Sequence, residues 1–473
     1  MRLIYLVFFV LSASFTNAQS VQSAIDALLK IPALKHASVS IHFQDMKTRE
    51  TVGQHQKDLS LIPASSLKII TTGVALEKLG KDFTYQTKLY SSAGNIYIQG
   101  SGDPTLGSPQ SDYTVNTEAI IDKFVSAIAE DGIQHLSGGV LGISDVFDTS
   151  VVGDSWPWYD LGNYYAGGVW GLNIRENYYD LFLDQNPKPG TAPQCCGTDP
   201  EIPGLQFINE LTSGSVSSGD NAYIYGAPYS YQKFIRGTIP AGSSTFKIKG
   251  SIPEPPLLTA QLLHKALVVK NIAVTQAAAY TFKSHNLSEA KLLATHNSPS
   301  LLSIITDTNR ESINLYAEAL LKSLGLQEKG KPGTTENGLE VIYDHFKNYS
   351  INTDGFYMVD GSGMSPRNGI SSKHFTGFLQ SMFQSLDLYQ DFKSSLAVIG
   401  RQGTLQYMMQ QSPIAGHLFG KSGSMKRVRS YTGYIETMSG KTIAFSIIIN
   451  NYAGKSRPVV KAIETIFTQV HAL

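Results

Sequence analysis

Regular helix and strand periodicities occupy both ends of this chain and give way between them to a different texture. From about Thr84 to about Lys283, short β-rich runs such as NIYIQG, NAYIYG and TFKIKG alternate with Gly, Pro and Ser clusters. Two ends of one texture around a middle of another fit a discontinuous domain interrupted by an insertion. Residues 19–83 and 284–473 are expected to form the outer domain, and residues 84–283 an inserted β-rich region. Within the first part, SVQSAIDALLK places Val21, Ile25, Leu28 and Leu29 at helical spacing, and ASVSIHFQDMKTRETVGQH alternates like a strand hairpin. PASSLKIITTGVALEKLG predicts an apolar helix with Ser65 in its first turn and Gly80 as its stop. Towards the end, KHFTGFLQSMFQSL is helical, SYTGYIETM and KTIAFSIIINNY read as paired strands, and RPVVKAIETIFTQV is a closing amphipathic helix.

No disulfide is available to hold distant segments together, because the only cysteines are the neighbours Cys195 and Cys196. The fold must rest on its core, which 42% hydrophobic residues in 473 can supply. The 38 Lys and Arg balance the 38 Asp and Glu, so no nucleic-acid binder is expected. The opening MRLIYLVFFVLSASFTNAQS has a basic Arg2, a short apolar run and a small residue at Ala18, which reads as a cleavable secretory signal over residues 1–18. An exported chain without a later membrane span follows.

A serine attacks a carbonyl only if a nearby base can take its proton. Ser65 and Lys68, three apart, share a helical face. The pattern alone is weak, since it recurs at Ser244 to Lys247 and at Ser288 to Lys291. A second polar pair, Ser312 and Asn314, opens a helical stretch, and Lys421, Ser422 and Gly423 put a cation and a hydroxyl beside a residue that lets a substrate backbone lie close. The last segment is no phosphate loop: three residues separate Gly416 from Gly420 where four are needed, and a strand-like run follows. There is no Gly-x-Ser-x-Gly elbow and no His-Glu-x-x-His zinc pair, and Gly153-Asp154-Ser155-Trp156 is better read as loop chemistry. Neither a metal nor a cofactor is expected.

In the order Ser-x-x-Lys, Ser-x-Asn, Lys-Ser-Gly, these residues supply a nucleophile, a base, a proton relay and a receiver for a carboxylate. The chain resembles the active-site serine penicillin-recognising enzymes, specifically the low-molecular-mass class C D-alanyl-D-alanine carboxypeptidase/endopeptidase family. Pro63-Ala64-Ser65-Ser66-Leu67-Lys68, Gly100-Ser101-Gly102-Asp103-Pro104-Thr105-Leu106, Asp360-Gly361-Ser362-Gly363-Met364-Ser365 and Lys421-Ser422-Gly423-Ser424 match its motifs in order, and Trp156 to Gly168 resembles its aromatic loop. Two departures are Ser422 in place of the commoner Thr and Ile313 in place of the usual Asp.

The resemblance implies an α+β, β-lactamase/transpeptidase-like catalytic domain, an antiparallel sheet flanked by helical clusters, carrying a large β-rich insertion that forms two smaller nested domains. It implies acyl transfer from peptidoglycan stem peptides and cross-bridges ending in D-Ala-D-Ala, in the periplasm, with β-lactams as covalent inhibitors. Ser65 would be the nucleophile and Lys68 its base, Ser312, Asn314 and Lys421 would move the proton and hold substrate, and Ser422 would bind the terminal carboxylate. Gly423 would let the substrate lie against the strand, and the backbone N–H groups of Ser65 and Ser424 would form the oxyanion hole. Asp160, Tyr165 and Arg367 would hold the free end of the stem's diamino acid. Two rival readings share the serine chemistry or the ligand: a β-lactamase or esterase, and a non-catalytic peptidoglycan-binding module.

Overall fold

The computed structural model describes residues 20–473, so the secretory signal read at residues 1–18 lies outside the described residues. The chain divides into two compact units, one running to Lys81 and continuing with Ile305–Ile313 and Leu339–Leu473, the other comprising Asp82–Ile304 and Asn314–Gly338.

The first unit is built on a six-stranded antiparallel sheet, in the order Ala397–Val398, Leu418–Met425, Val428–Glu436, Thr442–Asn450, Ser38–Asp45, Thr51–His55. The hairpin predicted after the first helix is its last pair of strands, and the chain's last two strands lie beside them. Alternate residues face opposite ways, so Val39, Ile41 and Phe43 join Phe445, Ile447 and Ile449 on one face. Against that face pack Val21, Ile25 and Leu28 of the helix at 20–29 and Val459, Ile463, Ile466 and Phe467 of the closing helix Arg457–His471. The other face is covered too. Ser40 Oγ donates to Ser372 Oγ at 2.8 Å, His42 Nδ1 lies 2.6 Å from Thr376 Oγ1, and Tyr434 OH donates to the Leu379 carbonyl at 2.8 Å, all from the helix Ser372–Phe383. Burial on both faces explains why Thr442–Asn450 is an almost unbroken apolar run, without the polar alternation of a half-exposed strand.

In the second unit a five-stranded mixed sheet, ordered Ala279–Thr281, Val140–Ile143, Asn95–Gln99, Gln86–Ser92, Lys291–Asn297, is accompanied by two three-stranded sheets. The long helices that the β-rich texture concealed are Thr117–Glu130 and Pro255–Val269. The first is capped by Asn116, whose side chain accepts from Ala119 N at 2.9 Å, and buries Ile120, Phe124 and Ile128 on one face. The second is apolar nearly all round, which hides its period from any amphipathicity argument. Strands, sheets and both helices share one continuous apolar core. Among the described residues no helix is long and apolar enough to cross a membrane, and no group of three His, Cys, Asp or Glu is placed to hold a metal. Cys195 and Cys196 are free thiols, both exposed.

The Gly100 to Leu106 motif is a structural clamp in this unit. Gly102 N donates to the Gly171 carbonyl at 2.8 Å, and Asn173 Nδ2 donates to the carbonyls of Asp103 at 3.2 Å and Trp170 at 2.8 Å. Asp103 is fully enclosed. One carboxylate oxygen accepts from Thr105 N at 2.8 Å and Thr105 Oγ1 at 2.6 Å, while the other finds no donor among the described residues. Burial pushes this carboxyl up to about 6, against the opposing effect of the Thr105 hydrogen bonds. A carboxyl raised in the folded state binds its proton more tightly there than in the unfolded chain. Its contribution is therefore fully present at low pH and is lost as pH rises from about 4, the unfolded value, through about 6. The shift corresponds to roughly 3 kcal/mol. Urea unfolding at pH 4 and pH 7 should show Asp103→Asn losing about that much of the wild type's decline in stability with pH; an unchanged decline would place the titrating group elsewhere.

Candidate active site

Ser65 lies in a 3-10 turn, Ala64–Leu67, that leads into the helix Lys68–Leu79, one turn earlier than the helical spacing predicts. Ala64 has φ +48°, a left-handed conformation that an alanine adopts only under constraint. The constraint is visible in the neighbouring loop. Gly363, at φ +80°, lies so close that a Cβ there would sit 2.0 Å from the Ala64 carbonyl oxygen, so only glycine meets both demands. Asp360 fixes that loop by accepting from Gly363 N at 2.9 Å, Ser365 N at 2.6 Å and Asn368 Nδ2 at 2.8 Å. Thr71 Oγ1, one helical turn past Lys68, donates to the Gly361 carbonyl at 2.7 Å.

From the other side the strand Leu418–Met425 is laid along the same turn. A Cβ at Gly423 would come within 2.6 Å of the Pro63 carbonyl oxygen and 2.8 Å of Ser66 N, so this close approach also requires glycine. Ser430, paired with Gly423 on the next strand, donates to the Pro63 carbonyl at 2.5 Å, and Ser66 Oγ donates to the same oxygen at 2.8 Å. The nucleophile turn is thus pinned by two serines that the sequence alone did not single out. Both are buried, where an unpaired hydroxyl would be costly.

Within this frame the side chains meet. Lys68 is wholly buried; its Nζ donates to Ser65 Oγ at 3.1 Å and to the Ser362 carbonyl at 2.8 Å. Lys421, also buried, donates from Nζ to Ser312 Oγ at 2.8 Å and to the Ser422 carbonyl at 2.8 Å. Burial holds the Lys421 ammonium well below the usual lysine range, the Lys68 cation pushes it further down, and Glu311 works in the opposite direction. Burial and the neighbouring cation both favour the neutral amine over its ammonium form, the direction that proton transfer at such a lysine needs. Ser312 takes φ +65°, and Ser422 Oγ donates to Thr404 Oγ1 at 3.0 Å. Ser65 and Ser422 are half-buried and Ser424 is exposed, so the hydroxyl edge of the group is open to a ligand. Arg367 is exposed, its backbone N–H donating to Ser365 Oγ at 3.0 Å.

The second unit contains the remaining expected residues. Asp160 and Tyr165 are joined directly, Tyr165 OH donating to Asp160 Oδ1 at 2.7 Å. Burial raises both groups; the Tyr165 hydrogen bond offsets part of the rise at Asp160, whereas the Asp160 charge adds to it at Tyr165. Asn314, first residue of the helix Asn314–Lys329, donates from Nδ2 to the Tyr165 carbonyl at 2.8 Å. The Ser-x-Asn motif and the aromatic loop, 149 residues apart, are therefore physically linked.

A serine hydroxyl bonded to a buried lysine, with a second Lys–Ser pair in the same unit, is an arrangement that can serve a serine hydrolase in which lysine stands where other hydrolases use histidine. The D-Ala-D-Ala carboxypeptidase 3 (S13) family matches residues 21–470, and the chain belongs to it. It is a serine-type D-Ala-D-Ala carboxypeptidase. It is 25% identical over 461 residues to the D-alanyl-D-alanine carboxypeptidase of Actinomadura, covering 93% of this chain and 83% of the relative. To the D-alanyl-D-alanine carboxypeptidase DacB of Haemophilus influenzae it is 20% identical over 457 residues, covering 94% and 92%. The crystal structure of penicillin binding protein 4 from Haemophilus influenzae superposes with a TM-score of 0.81 at 18% identity, covering 95% of this chain and 99% of that one. The same protein in complex with a β-lactam gives 0.77. The likeness establishes the fold expected from the motifs, a β-lactamase/transpeptidase-like α+β architecture.

Proposed function

We propose that Ser65 attacks the carbonyl of the penultimate D-alanine of a peptidoglycan stem peptide. Lys68, hydrogen-bonded to the Ser65 hydroxyl, takes its proton, and the new ester bond expels either D-alanine or the amine of a cross-bridge. Lys421 and Ser312, already in contact, return a proton to that leaving amine; Asn314 holds the substrate amide and Ser422 its terminal carboxylate. The N–H groups of Ser65 and Ser424 stabilise the oxyanion. Water then cleaves the ester and restores Ser65. Asp160, Tyr165 and Arg367 are assigned to the free end of the stem's diamino acid. β-Lactams acylate the same serine, a reading supported by the β-lactam complex of the Haemophilus influenzae relative. The enzyme works in the periplasm after removal of residues 1–18, and residues 84–283 are an insertion in the catalytic domain.

The observation that carries this reading is the 3.1 Å contact between the buried Lys68 Nζ and Ser65 Oγ. Incubation with purified pentapeptide muropeptides and with D-Ala-linked dimers, followed by chromatography, should yield free D-alanine from the first and monomers from the second. Turnover of a chromogenic β-lactam with both muropeptides left intact would instead make this a β-lactamase.

A further inference from the structure

The second unit exposes several aromatic rings beside a polar cavity. Trp158, Tyr159, Tyr164 and Tyr223 leave 55%, 46%, 43% and 42% of their surfaces to solvent, and all four lie on two neighbouring segments, so that they form one aromatic surface rather than scattered single rings. They come from two segments that are locked together. Asn163 donates to and accepts from the backbone of Ile224, at 3.2 Å and 3.1 Å, tying the loop Pro157–Ala166 to the strand Asn221–Tyr225. On that strand Tyr223 and Tyr225 are two apart and share one face. Trp158 lies with its ring centre 5.0 Å from that of Tyr225, and Tyr159 6.3 Å from that of Tyr223. The rings are thus held in place before any ligand arrives.

Beside them is a cavity of about 210 Å³ whose wall includes Tyr164, Asp220, Asn221, Tyr223 and Lys249. Lys249 Nζ sits 4.5 Å and 5.4 Å from the ring centres of Tyr178 and Tyr164 and donates to Tyr178 OH at 3.2 Å. Asp220 brings the opposite charge to the same wall. A cavity with one cation and one carboxylate selects for a ligand carrying both donors and acceptors but little net charge, and against a polyanion. Aromatic faces add a demand for weakly positive C–H groups, because the ring face is the negative end of its quadrupole. A pyranose ring meets all three conditions: hydroxyl and acetamido groups at its edge, C–H groups on its face, no charge.

We infer that this surface binds the amino-sugar strand of the cell wall, with ring faces against Trp158, Tyr159 and Tyr223 and polar edges towards Asp220, Asn221 and Lys249. The inference rests on the acyl-transfer reading above, which makes a sugar-linked stem peptide the substrate, and assigns to the second unit the part of that substrate that does not react. The test is calorimetric titration of the full chain with the β-1,4-linked tetramer of N-acetylglucosamine, which carries no peptide. Saturable binding is expected. Combining Trp158→Ala with Tyr223→Ala should weaken it at least about tenfold, about 1.4 kcal/mol, and Asp220→Asn about threefold. All three positions are solvent-exposed, and an unchanged melting temperature verifies the fold. Release of D-alanine from a sugar-free D-Ala-D-Ala peptide should stay within about twofold in these variants. Absence of saturable binding or equal affinity in the variants would each overturn the inference. Loss of D-alanine release in the wild type with tetramer binding intact would count against the acyl-transfer reading alone.

Discussion

Ser65→Ala should abolish both D-alanine release and covalent labelling by benzylpenicillin. Intact-protein mass spectrometry of the chain from residue 19 onward should show one drug mass added to the wild type and none to the variant, and turnover should fall at least about 10,000-fold. The expectation is this large because the proposed path runs through an ester at one oxygen, and no other hydroxyl described in the first unit has the same setting. Ser312 Oγ contacts an amine too, but as the partner of Lys421 and with its backbone at φ +65°. Losing the hydroxyl leaves Lys68 bonded to the Ser362 carbonyl, so the variant should fold normally. An adduct of one drug mass on Ser65→Ala would reassign the nucleophile.

Lys68→Gln should slow acylation by benzylpenicillin roughly 100- to 10,000-fold, the range set by removing a positioned proton acceptor. An uncharged amide keeps a donor for the Ser362 carbonyl but cannot take the Ser65 proton, so the loss should fall on the bond-making step rather than on folding. Lys68→Arg is an informative companion, because its charge is retained while its guanidinium stays protonated at any usable pH. If both variants are equally slow, Lys68 acts as a base. If Lys68→Arg retains most of the rate, its role is that of a positive charge beside the oxyanion and the proton must leave by way of Lys421 and Ser312. Stopped-flow acylation at several pH values separates the cases, because the Lys68 cation also helps to hold Lys421 down. Removing that charge should move any acid limb that belongs to Lys421 to higher pH.

Several elements were legible from spacing alone. The apolar rhythm of residues 68–79 and of the closing helix, the hairpin after residue 38 and the final pair of strands all follow from local periodicity. The helix Pro255–Val269 was not legible, because a helix apolar nearly all round has no broad polar side to mark its period. The site divides in the same way. Its members were picked out by motif, but the serines that pin the nucleophile turn, Ser66 and Ser430, carry no pattern and are found only where the two strands and the turn meet.

The three occurrences of Ser-x-x-Lys mark where the sequence stops deciding. At Ser244 and Lys247 the spacing runs from a bend into the strand Thr245–Ser251, with no helical turn to bring the two side chains together. There Ser244 Oγ turns to Gln185 at 2.8 Å and Lys247 Nζ to Asp180 at 3.3 Å. Lys291 opens another strand and pairs with Asp131. Only at Ser65 does the chain turn helically, and there the lysine reaches back to the hydroxyl at 3.1 Å. The sequence by itself determined the order of the motifs, the helical period that puts Lys68 within reach of Ser65, and the glycines at 363 and 423 without which the walls could not close. The tertiary structure alone decided what those groups can do. It brought Lys421 to Ser312 across 109 residues, and it removed water from Lys421 beside a second cation, because basicity belongs to the surroundings of an amine and not to its place in the chain.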